Sequence, residues 1–299
     1  MDILREIREY FASTQKGARK IKALPESAPA IVIRIEDEYG VAIQYDNDKI
    51  ISEKFANCRI HTKNLFIEGV VSNYLILSCS LDSLRYEFAT VCAQFVEPGT
   101  ECMNRINLIS NPLEWWQQWK VLLGNSISDK KAYSVVAEMI VLYKLYNNDK
   151  SIEWTGVLGR SHDIESNTRS YEVKATVKRY GSYITIAGQH QLQSKKELSL
   201  YFCRLEKSKL GVSINDIKYK LISIGYDEDK LEGQLYNLGY EIGSSKRDVK
   251  YKILEKRIYK VNENFPKITT ESFKDNKIPN SIVQITYTIN LDGIEYITW

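Results

Sequence analysis

HDIESNTRSYEVKATVK, residues His162–Lys178, carries two β-type runs around a polar turn. Ser166–Arg169 has the composition of a hairpin turn, and Tyr171–Arg179 has that of a strand. Side chains alternate along a strand, so Glu172 and Lys174 share one face and Val173 points to the other. A hairpin then brings Asp163 beside Glu172 across the ladder. Two neighbouring carboxylates repel each other, and a hard divalent cation relieves the repulsion. Mg²⁺ is satisfied by one or two carboxylates completed by waters and phosphate oxygens. Lys174 reaches the same place and can orient an attacking water or neutralise charge growing on a phosphate. Asp, then Glu-x-Lys on a strand, is the smallest set of groups for metal-assisted phosphodiester hydrolysis. The other reading of the stretch is a solvated hairpin with a surface ion pair. Two similar strings, Asp216-Ile217-Lys218 and Glu228-Asp229-Lys230, lie in helical or turn-like stretches. Residues i and i+2 of a helix diverge, so neither string can focus its charges.

Composition sets the frame. The chain has 299 residues, 43% hydrophobic and 26% charged, enough for two domains or one large one. No run approaches the roughly 20 apolar residues of a membrane span, and MDILREIREYF has neither the basic nor the apolar region of a signal peptide. Five scattered cysteines without a CxxC pair indicate neither a zinc site nor a disulfide framework. A reducing cytoplasm is the expected home. The net charge of +3 does not by itself announce a polyanion binder. Its distribution says more, because Arg169–Lys220 holds eleven Lys/Arg against four acids. That basic field falls on the stretch with the candidate site, although a solvated basic face has the same composition.

Around this centre, residues 2–11 have helical spacing. Alternating runs at Ala30–Glu36, Val41–Tyr45, Asn57–Thr62, Leu65–Val71 and Tyr74–Ser78 predict an antiparallel sheet. A helix capped by Asp82 or Ser83 follows, to Phe95. His61 reads as a structural or surface residue. Pro112 opens a helix ending at Gly124, whose Trp115, Trp116 and Trp119 read as packing. Ser128 or Asp129 caps the next helix, to about Tyr146. Glu138 sits in its apolar middle, either as a third acid for the metal site or as an ordinary exposed helical Glu.

A strand over Glu153–Leu158, the hairpin, a strand at Tyr183–Ile186, a basic helix at Gln189–Lys196 and a buried strand at Leu198–Leu205 complete the middle of the chain. Gln191 heads that expected helix, where its amide can meet a phosphate or base. Beyond Leu210, Ser213 and Asp227 cap two short helices ended by Gly225 and Gly239. Strands at Val249–Leu254, Arg257–Val261 and Ser281–Leu291 follow. The helix pair suits packing on a sheet, with a winged helix as the rarer alternative.

These residues carry a family resemblance. The chain resembles a bacterial family of PD-(D/E)XK members of unknown function found in phage-defence and restriction-modification-like gene clusters. Ala137-Glu138-Met139 is similar to its Gly-Glu-Leu helix. Gly156 through Asp163 resembles its Gly-rich approach to a metal-binding Asp. Glu172-Val173-Lys174-Ala175-Thr176 matches its Glu-Val-Lys strand, and Ile184-Thr185 to Gln191-Leu192 resembles its Ile-Ser-Ser…Gln-Leu segment. Tyr259-x-Val261…Phe265-Pro266-Lys267, then Ile282…Tyr287-x-Ile289-x-Leu291, looks like its closing pattern. Three positions depart from it: His162 stands where the superfamily commonly has Pro, Ile164 where the family tends to an aromatic, and Ala137 where it has Gly.

The resemblance implies an α+β, restriction-endonuclease-like core over residues 106–210. An N-terminal sheet-plus-helix region would precede it at 1–105, and a helix pair with strands would follow at 211–299. It implies a Mg²⁺-dependent DNA endonuclease (Mn²⁺ as substitute cation) of a prokaryotic defence or restriction-like system. Asp163 and Glu172 would bind the metal, Lys174 would position the water, Glu138 would be an accessory acid, and Gln191 would orient substrate or water. His162 is a chance neighbour or a substrate contact. The implied partners are DNA, a defence-system methyltransferase or ATPase, and a second copy of the chain. A catalytically silent DNA-binding or assembly subunit and an RNA nuclease are the rival readings.

Overall fold

Apolar residues that alternate from Ile31 to Cys79 need a second layer, and the amphipathic helices on either side of them supply it. A computed structural model describes residues 2–13, 16–35, 37–55, 57–123, 132–188, 191–279, 281–282 and 284–299, with side chains of 120–123 left aside. The chain forms two compact units, Met1–Ser128 with Glu241–Ser245, and Asp129–Tyr240 with Lys246–Trp299.

In the first unit, helix α1 (Ile3–Ala12) is capped by Asp2, whose carboxylate accepts from Leu4 N–H. Strands β1 (Gly17–Lys20), β2 (Ile31–Ile35), β3 (Glu38–Gln44), β4 (Ser52–Phe55), β5 (Cys58–Ile67) and β6 (Val70–Cys79) form one sheet in the order β1-β2-β3-β6-β5-β4. All its neighbours are antiparallel. Helices α2 (Arg85–Val96), α3 (Met103–Ser110) and α4 (Pro112–Leu123) follow. Ile7, Phe11, Tyr39, Phe88 and Trp116 are buried in one core, with Phe11 and Tyr39 rings 4.9 Å apart, edge to face. Trp115 packs edge-on against Phe95 at 5.1 Å. These tryptophans pack, as their spacing suggests. His61 is buried, and burial with Arg59 and Lys63 nearby pushes its imidazole down to about 3. It is therefore a neutral structural residue.

The two strands expected at 57–62 and 65–71 are one strand, β5. Its polar middle, Thr62-Lys63-Asn64, is paired to Leu75, Tyr74 and Asn73 of β6. The turn falls instead at Glu68–Gly69, both at positive φ. The caps read at Ser128 or Asp129 lie outside the described residues.

In the second unit, helix α5 (Ala132–Asn148) precedes strands β7 (Glu153–Trp154), β8 (Ile164–Glu165), β9 (Arg169–Thr176), β10 (Tyr183–Ile186) and β11 (Glu197–Val212). Helices α6 (Ile214–Ser223) and α7 (Glu228–Asn237) lead into β12 (Tyr251–Lys260), β13 (Tyr287–Asn290) and β14 (Ile297–Thr298). The main sheet runs β7-β8-β9-β11-β12-β14, and β10 pairs with β13 separately. Among the described residues only the β9–β11 pair is parallel, with Glu172 beside Leu200 and Lys174 beside Phe202. Tyr171, Val173, Tyr201 and Cys203 bury one face against α5, α6 and α7. Leu200 and Phe202 bury the other against Ile184, Ile186, Leu192 and Ile289.

Three expectations need correction. Residues 191–196 are turns, not part of a basic helix, and Gln189 and His190 lie outside the described residues. Among the described residues of 281–291 only Tyr287–Asn290 is strand, paired with the four residues of β10. Val249–Leu254 and Arg257–Val261 fuse into β12, which follows the long β11. The compact units also differ from the three stretches read in the sequence. Leu108 and Trp116 enter the N-terminal core, and β12 and β14 complete the sheet of β7–β11.

The decoy strings have structural employment. Asp216 closes a capping box with Ser213, and Lys218 bridges to Glu228 at 2.9 Å. Glu228-Asp229-Lys230 lies in the first turn of α7, where Lys230 N–H donates to the Asp227 cap. The helix pair packs on the main sheet, so the winged-helix alternative is not followed. Among the described residues no helix is long and apolar enough to cross a membrane.

Candidate metal and phosphodiester site

The β8–β9 register sets Ile164 opposite Tyr171 and Glu165 opposite Ser170. Asp163, one residue earlier, therefore faces Glu172, as the hairpin reading requires. The peptide around Asp163 is fixed at several points. Its carbonyl accepts N–H bonds from Thr155 and Gly156, both 2.9 Å. Thr155 Oγ1 donates to the His162 carbonyl at 2.9 Å. Asp163 Oδ2 accepts from Val173 N–H at 2.8 Å, which ties the carboxylate to the strand that carries Glu172.

Gly156 has a specific reason to be glycine. A Cβ there would lie 2.9 Å from both Asp163 Cα and Asp163 Oδ1. The family resemblance sets Gly156 at the start of a Gly-rich approach to Asp163, but no local signal announces this close contact. Gly156→Ala should push Asp163 away from Glu172 and weaken Mg²⁺ binding by about tenfold or more, the scale of an overpacked contact. Calorimetric titration of Mg²⁺ into wild type and variant checks this. Equal affinities would mean that the turn yields without moving the aspartate.

Glu172 is 2% exposed. Burial and the neighbouring Asp163 charge push its carboxyl up to about 8, against the opposing pull of Lys174. Lys174 Nζ stands 2.8 Å from Glu172 Oε1 and 3.3 Å from Gln191 Oε1. Ala187 N–H donates to the same Gln191 oxygen at 2.9 Å. Two donors converging on one atom identify it as the amide oxygen and leave the Gln191 NH₂ to donate elsewhere. Gln191 thus reaches Lys174 from a turn.

Glu138 is buried on α5 and accepts from Trp154 Nε1 at 2.9 Å. It is not the exposed helical Glu of the bland reading, and its charge is among those that raise Glu172. Among the described residues no three His, Cys, Asp or Glu side chains gather closely enough to hold a metal. The acidic set at the centre is the Asp163–Glu172 pair. That pair suits a hard cation completed by water and phosphate oxygens, and a buried carboxyl resisting ionisation beside a charged neighbour is relieved by one.

A family model described as "Putative PD-(D/E)XK family member, (DUF4420)" matches residues 12–292. The chain belongs to that family. No curated protein and no solved structure matches it. Membership in the PD-(D/E)XK family places the chain among nuclease-like proteins of mixed α+β architecture, and divalent metals are the usual cofactors of such nucleases. In this chain the hairpin brings Asp163, Glu172 and Lys174 together.

Proposed function

We propose that this PD-(D/E)XK member is a Mg²⁺-dependent DNA endonuclease. The observation that carries the reading is the placement of Asp163 beside Glu172, one position beyond the β8–β9 ladder and tied to β9 through Val173 N–H, with Lys174 2.8 Å from Glu172. A bound divalent cation would supply charge neutralisation at the phosphate and acidify a water. Asp163 and Glu172 would hold it. Glu172 gives up its proton on binding, so binding strengthens as pH rises toward about 8. Lys174 leaves its ion pair with Glu172 for the negative charge of the attacked phosphate, and Gln191 restrains the lysine's reach. Glu138, held by Trp154, acts on Glu172 through its charge. Arg169, Lys178, Arg179, Lys195 and Lys196 add a basic surface suited to a polyanion.

The same reading makes the protein a cytoplasmic component of a prokaryotic anti-phage or restriction-like system. It would work as a homodimer or with a methyltransferase or ATPase partner, since cutting both strands needs two such sites. The test is cleavage of plasmid, linear and single-stranded DNA in Mg²⁺ or Mn²⁺, with EDTA and Glu172→Ala as controls. Metal-dependent cutting lost in Glu172→Ala supports the nuclease. Salt-sensitive DNA binding without cutting under any condition would favour a silent binding subunit, and preferential cutting of RNA would change the substrate.

A further inference from the structure

Next to the carboxylate pair a cleft of about 700 Å³ opens, within the size range of small-molecule sites. Ser170 lines it and lies two residues before Glu172 on β9, hence on the same face of the strand. The segment after Gln191 runs beside β9. Gln191 meets Lys174 at one end, and Ser194 Oγ donates to Ser170 Oγ at 3.1 Å at the other. The cleft and the metal site are therefore consecutive along one strand.

Its floor holds a polar atom without a partner. His162 lines the cleft and is 6% exposed. Its Nδ1 stands 3.4 Å from Glu165 Oε1, while its buried Nε2 has no hydrogen-bond partner among the described residues. Glu165 is itself fixed, because Lys196 Nζ stands 3.1 Å from its Oε2 and donates to Ser166 O at 2.7 Å. Nε2 is the ring nitrogen whose hydrogen bond the fold leaves unmade. A buried polar atom left unsatisfied is costly, and a ligand partner removes that cost. At the rim, Arg160 and Lys195 are exposed and form no ion pair among the described residues. The cleft thus combines an unpartnered ring nitrogen in its lining with two cations at its rim.

We propose that this cleft receives one nucleotide of the substrate strand, adjacent to the phosphate cut at Asp163 and Glu172. Arg160 and Lys195 hold its phosphate, and His162 Nε2 hydrogen-bonds to a polar group of its base or sugar. The proposal rests on the nuclease reading and adds to it a subsite for the neighbouring nucleotide.

The test titrates the four deoxynucleoside 5′-monophosphates and, separately, inorganic phosphate into the full chain. Wild type, the Arg160→Ala/Lys195→Ala double variant and His162→Gln are compared, each also assayed for DNA cleavage. The two rim residues are exposed, so the double variant keeps its fold. It should bind monophosphates at least about tenfold more weakly and cut with a raised KM and a kcat much less changed. His162→Gln should weaken at least one nucleotide while leaving inorganic phosphate unaffected. If no monophosphate binds wild type, or the double variant binds equally well, the proposal is overturned. Unaltered KM and kcat in the double variant would remove the cleft from the reaction and leave the nuclease standing. Monophosphate binding lost in the double variant, with no DNA cut by wild type, would keep the nucleotide site and overturn the nuclease.

Discussion

Lys174→Ala protein is expected to lose DNA cleavage by about a hundredfold to a thousandfold, the range seen when one preorganised charge-stabilising group is removed. The fold should survive the change. Lys174 reaches Glu172 and Gln191 by its side chain alone, and Gln191 keeps its bond from Ala187 N–H without it. Removing a lysine from a buried ion pair usually strands a charge. Here the stranded group is a carboxyl already pushed up to about 8, so near neutral pH it holds a proton and needs no counter-ion. Cleavage of supercoiled plasmid in Mg²⁺, read beside thermal melting of the same samples, checks both halves. Normal cutting by purified Lys174→Ala would remove the lysine from the chemistry, and a collapsed melting temperature would make it a structural residue.

The second large effect concerns Glu172→Gln in the absence of metal. The Glu172 carboxyl rises from an ordinary 4.5 to about 8 on folding, chiefly through burial and then through the Asp163 charge. The folded state therefore holds a proton that the unfolded state has released. Stability is fully retained below about pH 4.5 and is lost as pH climbs through about 8. The loss by pH 9 is on the order of 5 kcal/mol, using about 1.4 kcal/mol for each pH unit between the two values. Glutamine stays neutral, so the variant should show no such decline and should outlast wild type in alkaline urea. Mg²⁺ should restore wild type at pH 9 by taking the proton's place, and should do little for Glu172→Gln. Urea denaturation at pH 5.5 and pH 9, with and without Mg²⁺, reads this directly. Parallel behaviour of the two proteins would mean that Glu172 ionises without penalty. The same substitution should abolish cutting, so one residue trades stability against a charge at the site.

Much of the site was legible because its chemistry is local. Alternation around Val173 places Glu172 and Lys174 on one face, and a four-residue turn can fold Asp163 back only onto that strand. Glu138 stood out for a different reason, a carboxylate among apolar helix positions. Its partner, Trp154, was not legible, because the bond joins residues sixteen apart on a helix and an edge strand. Gln191 reaches Lys174, as a neighbour of the candidate site, but from a turn and not from the expected helix. The stretch around it has helical composition, yet residues 191–196 are fixed by contacts with β9 through Lys174 and Ser170. Propensity yields to such tertiary contacts in short polar segments.

The sequence by itself determined the pieces whose geometry follows from backbone period and turn chemistry. These are the catalytic-type hairpin, the antiparallel sheet ahead of it, the capped helices α6 and α7, and the idle roles of the two decoy strings. Only the tertiary structure decided what depends on distant chain segments. It set β9 parallel to β11, drew residues 211–240 and 246–299 into the unit of the candidate site, and buried Glu172 so that desolvation and then the Asp163 charge lift its carboxyl. It also pressed Gly156 against Asp163 and left His162 Nε2 without a partner among the described residues. Burial and close approach are sums over residues far apart in the chain, and no local pattern encodes them.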